Sequence, residues 1–167
     1  MIPYSRNEKP GGQNMQTATL AIIVRENRIL LGRKQGNPEI GNGTLNGPGG
    51  KMESEDKTIA DCVTRETREE FGIELTQISE DALITFHAGG VPDFQVHIYR
   101  VHQFFGKAHE TQSMVPEWHD ITNIPYERML ESDRYWLPLL LHGAKFDANV
   151  YYRKRAKGFQ KIEIFPL

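Results

Sequence analysis

Gly49-Gly50-Lys51 and, farther on, Arg65-Glu66-Thr67-Arg68-Glu69-Glu70-Phe71-Gly72 decide how this chain folds. Between and through them, from Thr58 to Phe71, Ile59, Cys62, Val63, Glu66 and Glu70 recur at spacings of three and four, the period of one helix face. Gly72 stands where a left-handed glycine ends a helix. Glu66, Glu69 and Glu70, at i, i+3 and i+4, are then surface neighbours. Like charges so placed repel unless a cation sits among them. Magnesium or manganese, hard ions that prefer carboxylate and phosphate oxygens, would remove the conflict. A solvated acidic patch fits less well, because two of the glutamates continue an apolar stripe. The pattern points to metal-assisted chemistry on a phosphorylated substrate.

Working outward, Gly36 to Gly50 holds six glycines and two prolines and reads as a loop system. Upstream, Thr17–Val24 and Asn27–Leu31 form a β-hairpin about the turn Arg25-Glu26-Asn27. Residues 1–16 are polar and without period, and are expected to be a loosely held tail before a domain over 17–167. Downstream, strands are expected at Ala82–His87, Phe94–Phe105 and Trp118–Ile121, then a second helix over Asp133–His142, capped near Ser132 or Asp133. A strand pair, Val150–Arg153 and Lys161–Phe165, closes the chain. The class is α+β: a curved mixed sheet with two main helices.

At 167 residues the chain fits one domain with a real core, and 38% hydrophobic with 25% charged residues is ordinary for a soluble globular protein. A net charge of −2 argues against general affinity for duplex nucleic acid, while leaving room for a local basic patch. The single cysteine, Cys62, excludes an internal disulfide and reads as core filler. No apolar run approaches the ~18–20 residues of a membrane span, so the cytoplasm is the expected compartment. Of the six histidines, His87, His97 and His102 lack the spacing of a zinc site.

From Gly50 to Ile73 the sequence resembles the Nudix box, the signature of hydrolases that cut nucleoside diphosphates linked to another group. Arg65-Glu66, Glu69-Glu70, Gly72 and Ile73 match its second half, with Thr67 at an apolar position. Leu30-Leu31-Gly32-Arg33-Lys34, Leu45 to Lys51 and Asp133 to Leu141 extend the likeness towards MutT-type enzymes that remove oxidised purine nucleoside triphosphates. The resemblance implies an α/β/α sandwich in which Glu66, Glu69, Glu70 and the Gly49 carbonyl hold Mg²⁺ or Mn²⁺. Glu66 or Glu69 would accept a proton from the attacking water. Arg65 would orient a glutamate by bidentate pairing, or simply pair with Glu69 at i, i+4. Gly49 and Gly50 let backbone approach phosphates, and Lys34 and Lys51 could pair with them. The family positions also place Thr19 near the sugar and Asn46 and Asp133 on the purine edge. Trp136 falls beside them, as core or base platform; Tyr135 is expected in the core, and Trp118 and Phe94 could serve either role. Implied partners are a nucleoside triphosphate and no membrane, for a monomer or weak dimer.

Departures from the pattern open alternatives. Gly50 to Arg65 is one residue longer than the family spacing, and Lys57 stands where the first glutamate belongs, so Glu55 or Asp56 would have to substitute. Ser132 and Leu130 replace an aspartate and a stacking tryptophan of the relatives. Ser113 replaces an acidic metal ligand, a role for which Glu110 or Glu117 would have to move in. A methylated purine triphosphate, an ADP-ribose-like dinucleotide, an RNA 5′ end, or a weakly catalytic nucleotide-binding module are the competing readings.

Overall fold

A computed structural model describes residues 15–36 and 43–167. The expected tail, apart from Met15 and Gln16, and residues 37–42 of the glycine-rich loop lie outside the described residues. Strand β1 (Gln16–Arg25) turns through Glu26 and Asn27, both at positive φ (52° and 60°), into β2 (Arg28–Lys34). That left-handed pair matches the twist of a two-residue hairpin. β1 alternates its burial: Leu20 and Ile22 face one core cluster, Ala21 and Ile23 the other. It is therefore a central strand with helices on both sides.

The loop system contains two short strands, β3 (Leu45–Asn46) and β4 (Gly49–Lys51), which composition hides because glycine carries no β signal. β4 pairs with β1 at Thr19–Gly50, so the glycine turn is stitched to the sheet centre. Helix α1 (Ile59–Phe71) begins with a capping box: Asp61 N–H donates to Thr58 Oγ1 and Thr58 N–H to Asp61 Oδ2, both at 3.0 Å. Gly72 ends it at φ 73°, donating to the Arg68 carbonyl, and a Cβ there would stand 1.9 Å from the His109 ring.

β5 (Glu74–Ala88) starts eight residues before the expected Ala82, because its bulged pairing with β6 (Val91–Phe105) breaks the alternation that sequence reading depends on. β7 (Met114–Asp120) pairs with β2. Helix α2 (Asp133–Leu141) is followed by the hairpin of β8 (Phe146–Lys154) and β9 (Lys157–Pro166). Neither Ser132 nor Asp133 caps α2 through its side chain, contrary to expectation, because both side chains have buried partners.

The strand order is β3-β2-β1-β6-β5-β8-β9, with β4 on β1 and β7 on β2; β1–β6 and β5–β8 are parallel. Val63 and Phe71 of α1 pack on one face, and Trp136, Leu137 and Leu140 of α2 on the other. The result is a three-layer α/β/α sandwich around a mixed curved sheet. Among the described residues no helix is long and apolar enough to cross a membrane.

Candidate active site

Arg65 organises the entrance to the site. Its Nε and Nη2 each donate to the Asp56 carboxylate at 2.8 Å, while Nη1 reaches Glu66 Oε1 at 3.0 Å and Glu69 Oε2 at 3.2 Å. The bidentate partner is thus Asp56, where a helix glutamate had been expected, and the Glu69 contact exists beside it. The Arg65 fork, aided by the Glu53 N–H at 2.9 Å, holds the Asp56 carboxyl well below the usual range. Five residues separate Gly50 from Asp56, so Asp56 fills the first acidic position and Lys57 is the extra residue after it. Glu55 is exposed.

The helix glutamates divide into two kinds. Glu70 is 9% exposed and accepts from the Gly49 N–H at 3.1 Å; burial, reinforced by the neighbouring Glu66 charge, pushes its carboxyl up to about 8. Burial also raises Glu66. Glu69, with its side chain 57% exposed, turns outward to Arg65. A Cβ on Gly50 would stand 2.6 Å from the Glu66 carboxyl carbon, and one on Gly49 would be 2.0 Å from the Thr19 carbonyl oxygen. Glycine is what lets the loop touch the carboxylates.

Among the described residues no three histidine, cysteine or acidic side chains are already gathered as a finished cage. The donor chemistry nevertheless fits a hard divalent ion: two crowded carboxyls, both raised by burial, set against the glycines that line a cavity. Glu66 and Glu70 would hold the ion, with Glu69 one turn away. Glu117 is forked by Arg128 at 3.0 Å twice, and Glu110 accepts from Gln35 at 3.2 Å, so each is engaged away from this site.

From Gly49–Lys51 a cavity of about 320 Å³ crosses the sheet to α2. Asp133 lies fully buried there, and burial pushes its carboxyl up to about 7, against the Trp136 Nε1–H that donates to it at 3.2 Å. Trp136 is 2% exposed and lines the cavity, so it is core and wall together. Lys34 sits between the fields of Glu70 and Asp133, its ammonium lowered by burial. Asn46 Oδ1 holds the Gly47 N–H at 2.9 Å, which fixes the amide at the cavity edge. Lys51 stands over the Phe94 ring at 5.8 Å.

Thr19 borders the cavity, but its hydroxyl meets Cys62 Sγ at 3.4 Å. Cys62 is the core filler expected, its thiol raised by burial. Ser132 is buried, its hydroxyl accepting from Tyr152 at 3.0 Å. Tyr135 is not core: it is 45% exposed and stacks on Phe159. Phe94 proves to be a cavity wall, joined by Phe86, Tyr152 and Arg155, which sequence reading missed. No local spacing announces those residues, because β5–β8 pairing brings them together.

A family model for the NUDIX domain matches residues 14–140. The chain belongs to the Nudix family. The protein named oxidized purine nucleoside triphosphate hydrolase in Mus musculus is 36% identical over 129 residues, 77% of this chain and 81% of that one. Its namesake in Danio rerio is 35% identical over the same shares. A solved MutT protein from Bacillus halodurans superposes with a TM-score of 0.77 at 20% identity, covering 90% of this chain and 97% of its own, which shows the fold. Nudix hydrolases generally need a divalent metal. Thr67, at the apolar position of the Nudix helix, is buried, and its hydroxyl is satisfied by donating to the Val63 carbonyl at 2.7 Å.

Proposed function

We propose that this Nudix protein hydrolyses oxidised or otherwise modified purine nucleoside triphosphates, 8-oxo-dGTP first, to the monophosphate and pyrophosphate. The observation that carries the reading is one cavity joining the Gly49–Glu70 end to a buried Asp133 that holds its proton near neutrality. A neutral carboxyl both donates and accepts, as the edge of a purine requires. Asn46 offers an amide beside it. The two vertebrate relatives at 35–36% identity bear the name of that activity.

Bound Mg²⁺, or Mn²⁺, would neutralise phosphate charge and acidify the attacking water. The chain's own residues do the rest. Glu66, Glu69 and Glu70 supply oxygen ligands, and the glycine backbone admits the phosphates. Arg65 orients Glu66, which accepts the proton as water attacks an inner phosphorus; Glu69 stands within reach of the same arginine. Lys34 and Lys51 offset phosphate charge along the cavity wall. Asp56 keeps the loop–helix joint that Lys57 would otherwise break, which supports turnover over mere binding.

A second reading follows from Leu130, which lines the cavity with Phe86 and Val96. An alkyl group on a methylated purine would meet aliphatic surface there. Pyrophosphate release with Mg²⁺ across dGTP, 8-oxo-dGTP and methylated purine triphosphates, beside Glu66→Gln, tests both. Preference for 8-oxo-dGTP supports the first reading, and preference for the methylated substrates supports the second. No pyrophosphate from any of them would overturn both.

A further inference from the structure

Arg153, Lys154, Arg155, Lys157 and Lys161 crowd into nine residues of a chain whose net charge is −2. All five are exposed on the β8–β9 hairpin, whose tip borders the cavity. Lys154 and Lys157 are paired directly across the two-residue turn Arg155-Ala156. Like charges in facing positions repel, so the hairpin sets its own stability against this arrangement. Lysines on the outermost strand β9 would be enough to block edge pairing. Arg153 and Lys154, however, stand on β8 beyond its last pair with β5, Ala88–Tyr152, at the hairpin tip beside the cavity rather than along the outer edge of β9.

The aromatic surroundings narrow the partner. By strand alternation Lys154 and Lys157 share the face of Tyr152 and Phe159, the side on which α2 packs. Phe159 stacks on Tyr135 of α2 with ring centroids 5.3 Å apart, and Tyr135 is 45% exposed beside the exposed Arg134. At the other end of the tip, Arg155 is forked to Asp93 by two 2.7 Å bonds and lies 4.9 Å over the Phe94 ring, inside the cavity mouth. Cations and flat rings thus alternate from α2, across the hairpin, to the nucleotide cavity.

We propose that this band binds single-stranded nucleic acid. A strand presents phosphates to lysine and arginine and bases to aromatic faces, and the combination tolerates any sequence. An anionic membrane would also draw the cations, but the Arg155-Ala156 tip offers no large apolar group to insert. The proposal is independent of which triphosphate the cavity accepts.

Fluorescence anisotropy of labelled oligo(dT) and oligo(U), titrated with the full chain at several salt concentrations, tests it. Binding should weaken with salt, log K falling with a slope of about −0.7 per phosphate contacted. The Lys154→Ser/Lys157→Ser double variant should bind at least about fivefold more weakly with a shallower slope, and Tyr135→Ala should lose affinity at unchanged slope. Both variants should keep triphosphate hydrolysis, and the double variant its melting temperature, because it relieves a repulsion; Tyr135→Ala gives up only its stack on Phe159. No binding at low salt, or equal binding by the double variant, would overturn the proposal. So would capture by phosphatidylserine vesicles without oligonucleotide binding.

Discussion

The two ends of the cavity are built by different means. At the glycine-turn end, Gly49, Gly50, Arg65, Glu66 and Glu70 come from one stretch of chain, and a capped helix alone places the last three. At the α2 end, Asn46, Phe94 and the run holding Leu130, Asp133 and Trp136 come from three separate segments that only the sheet and α2 bring together. The first crowds Glu66 and Glu70 together, and burial raises both carboxyls. The second is satisfied internally, each buried polar group already bonded. An end built of crowded, buried carboxyls tolerates little change in its acidic residues, whereas a self-satisfied wall can be retuned one side chain at a time.

The sharpest way to break this contrast is Glu66→Gln. Removing the proposed proton acceptor and metal oxygen should lower kcat by about 10³-fold, read as pyrophosphate release, with the fold intact. Asp56→Ala comes next, acting on stability instead. Arg65 would lose its fork and keep its contacts with Glu66 and Glu69, for a loss of about 1.5–3 kcal/mol in urea unfolding. If stability hardly changed, the Asp56–Arg65 fork would not be what holds the loop–helix joint.

Asp133→Asn probes the other end. Its effect on the KM for 8-oxo-dGTP should be about tenfold, with less change in kcat. The folded carboxyl lies near 7, above the ordinary value of 3.8. The folded chain therefore holds this proton more tightly, a contribution complete below pH 4 and lost as pH rises through about 7. Chemical unfolding between pH 5 and pH 8 should show that loss in the wild type and a flatter profile in Asp133→Asn. Base affinity should decline over the same range wherever the neutral form donates. The smallest effect belongs to Thr58→Ala, which removes one half of the capping box and should cost about 1 kcal/mol with kcat unaltered.

Legibility followed the same divide. The helix from Thr58, its end at Gly72 and the glutamate face were readable because capping, glycine conformation and the 3.6-residue period act over a few residues. The start of β5 was not, since bulges against β6 scramble a period of two. Tyr135 misled for a related reason: on a short helix beside a hairpin, exposure depends on where β9 passes, and Phe159 covers one ring face while leaving the other to solvent.

By itself the sequence determined the Nudix helix, the glycine turn before it and the oxygen-rich donor set, because each is a matter of neighbours along the chain. Tertiary structure decided that Asp56, not Glu55, receives the Arg65 fork, and that Thr19 turns to Cys62. It also decided that Phe94 and Arg155, 61 positions apart in the numbering, close one rim of the cavity. Those outcomes depend on strand register and parallel pairing between distant segments, and a contact of that kind leaves no period in the sequence to read.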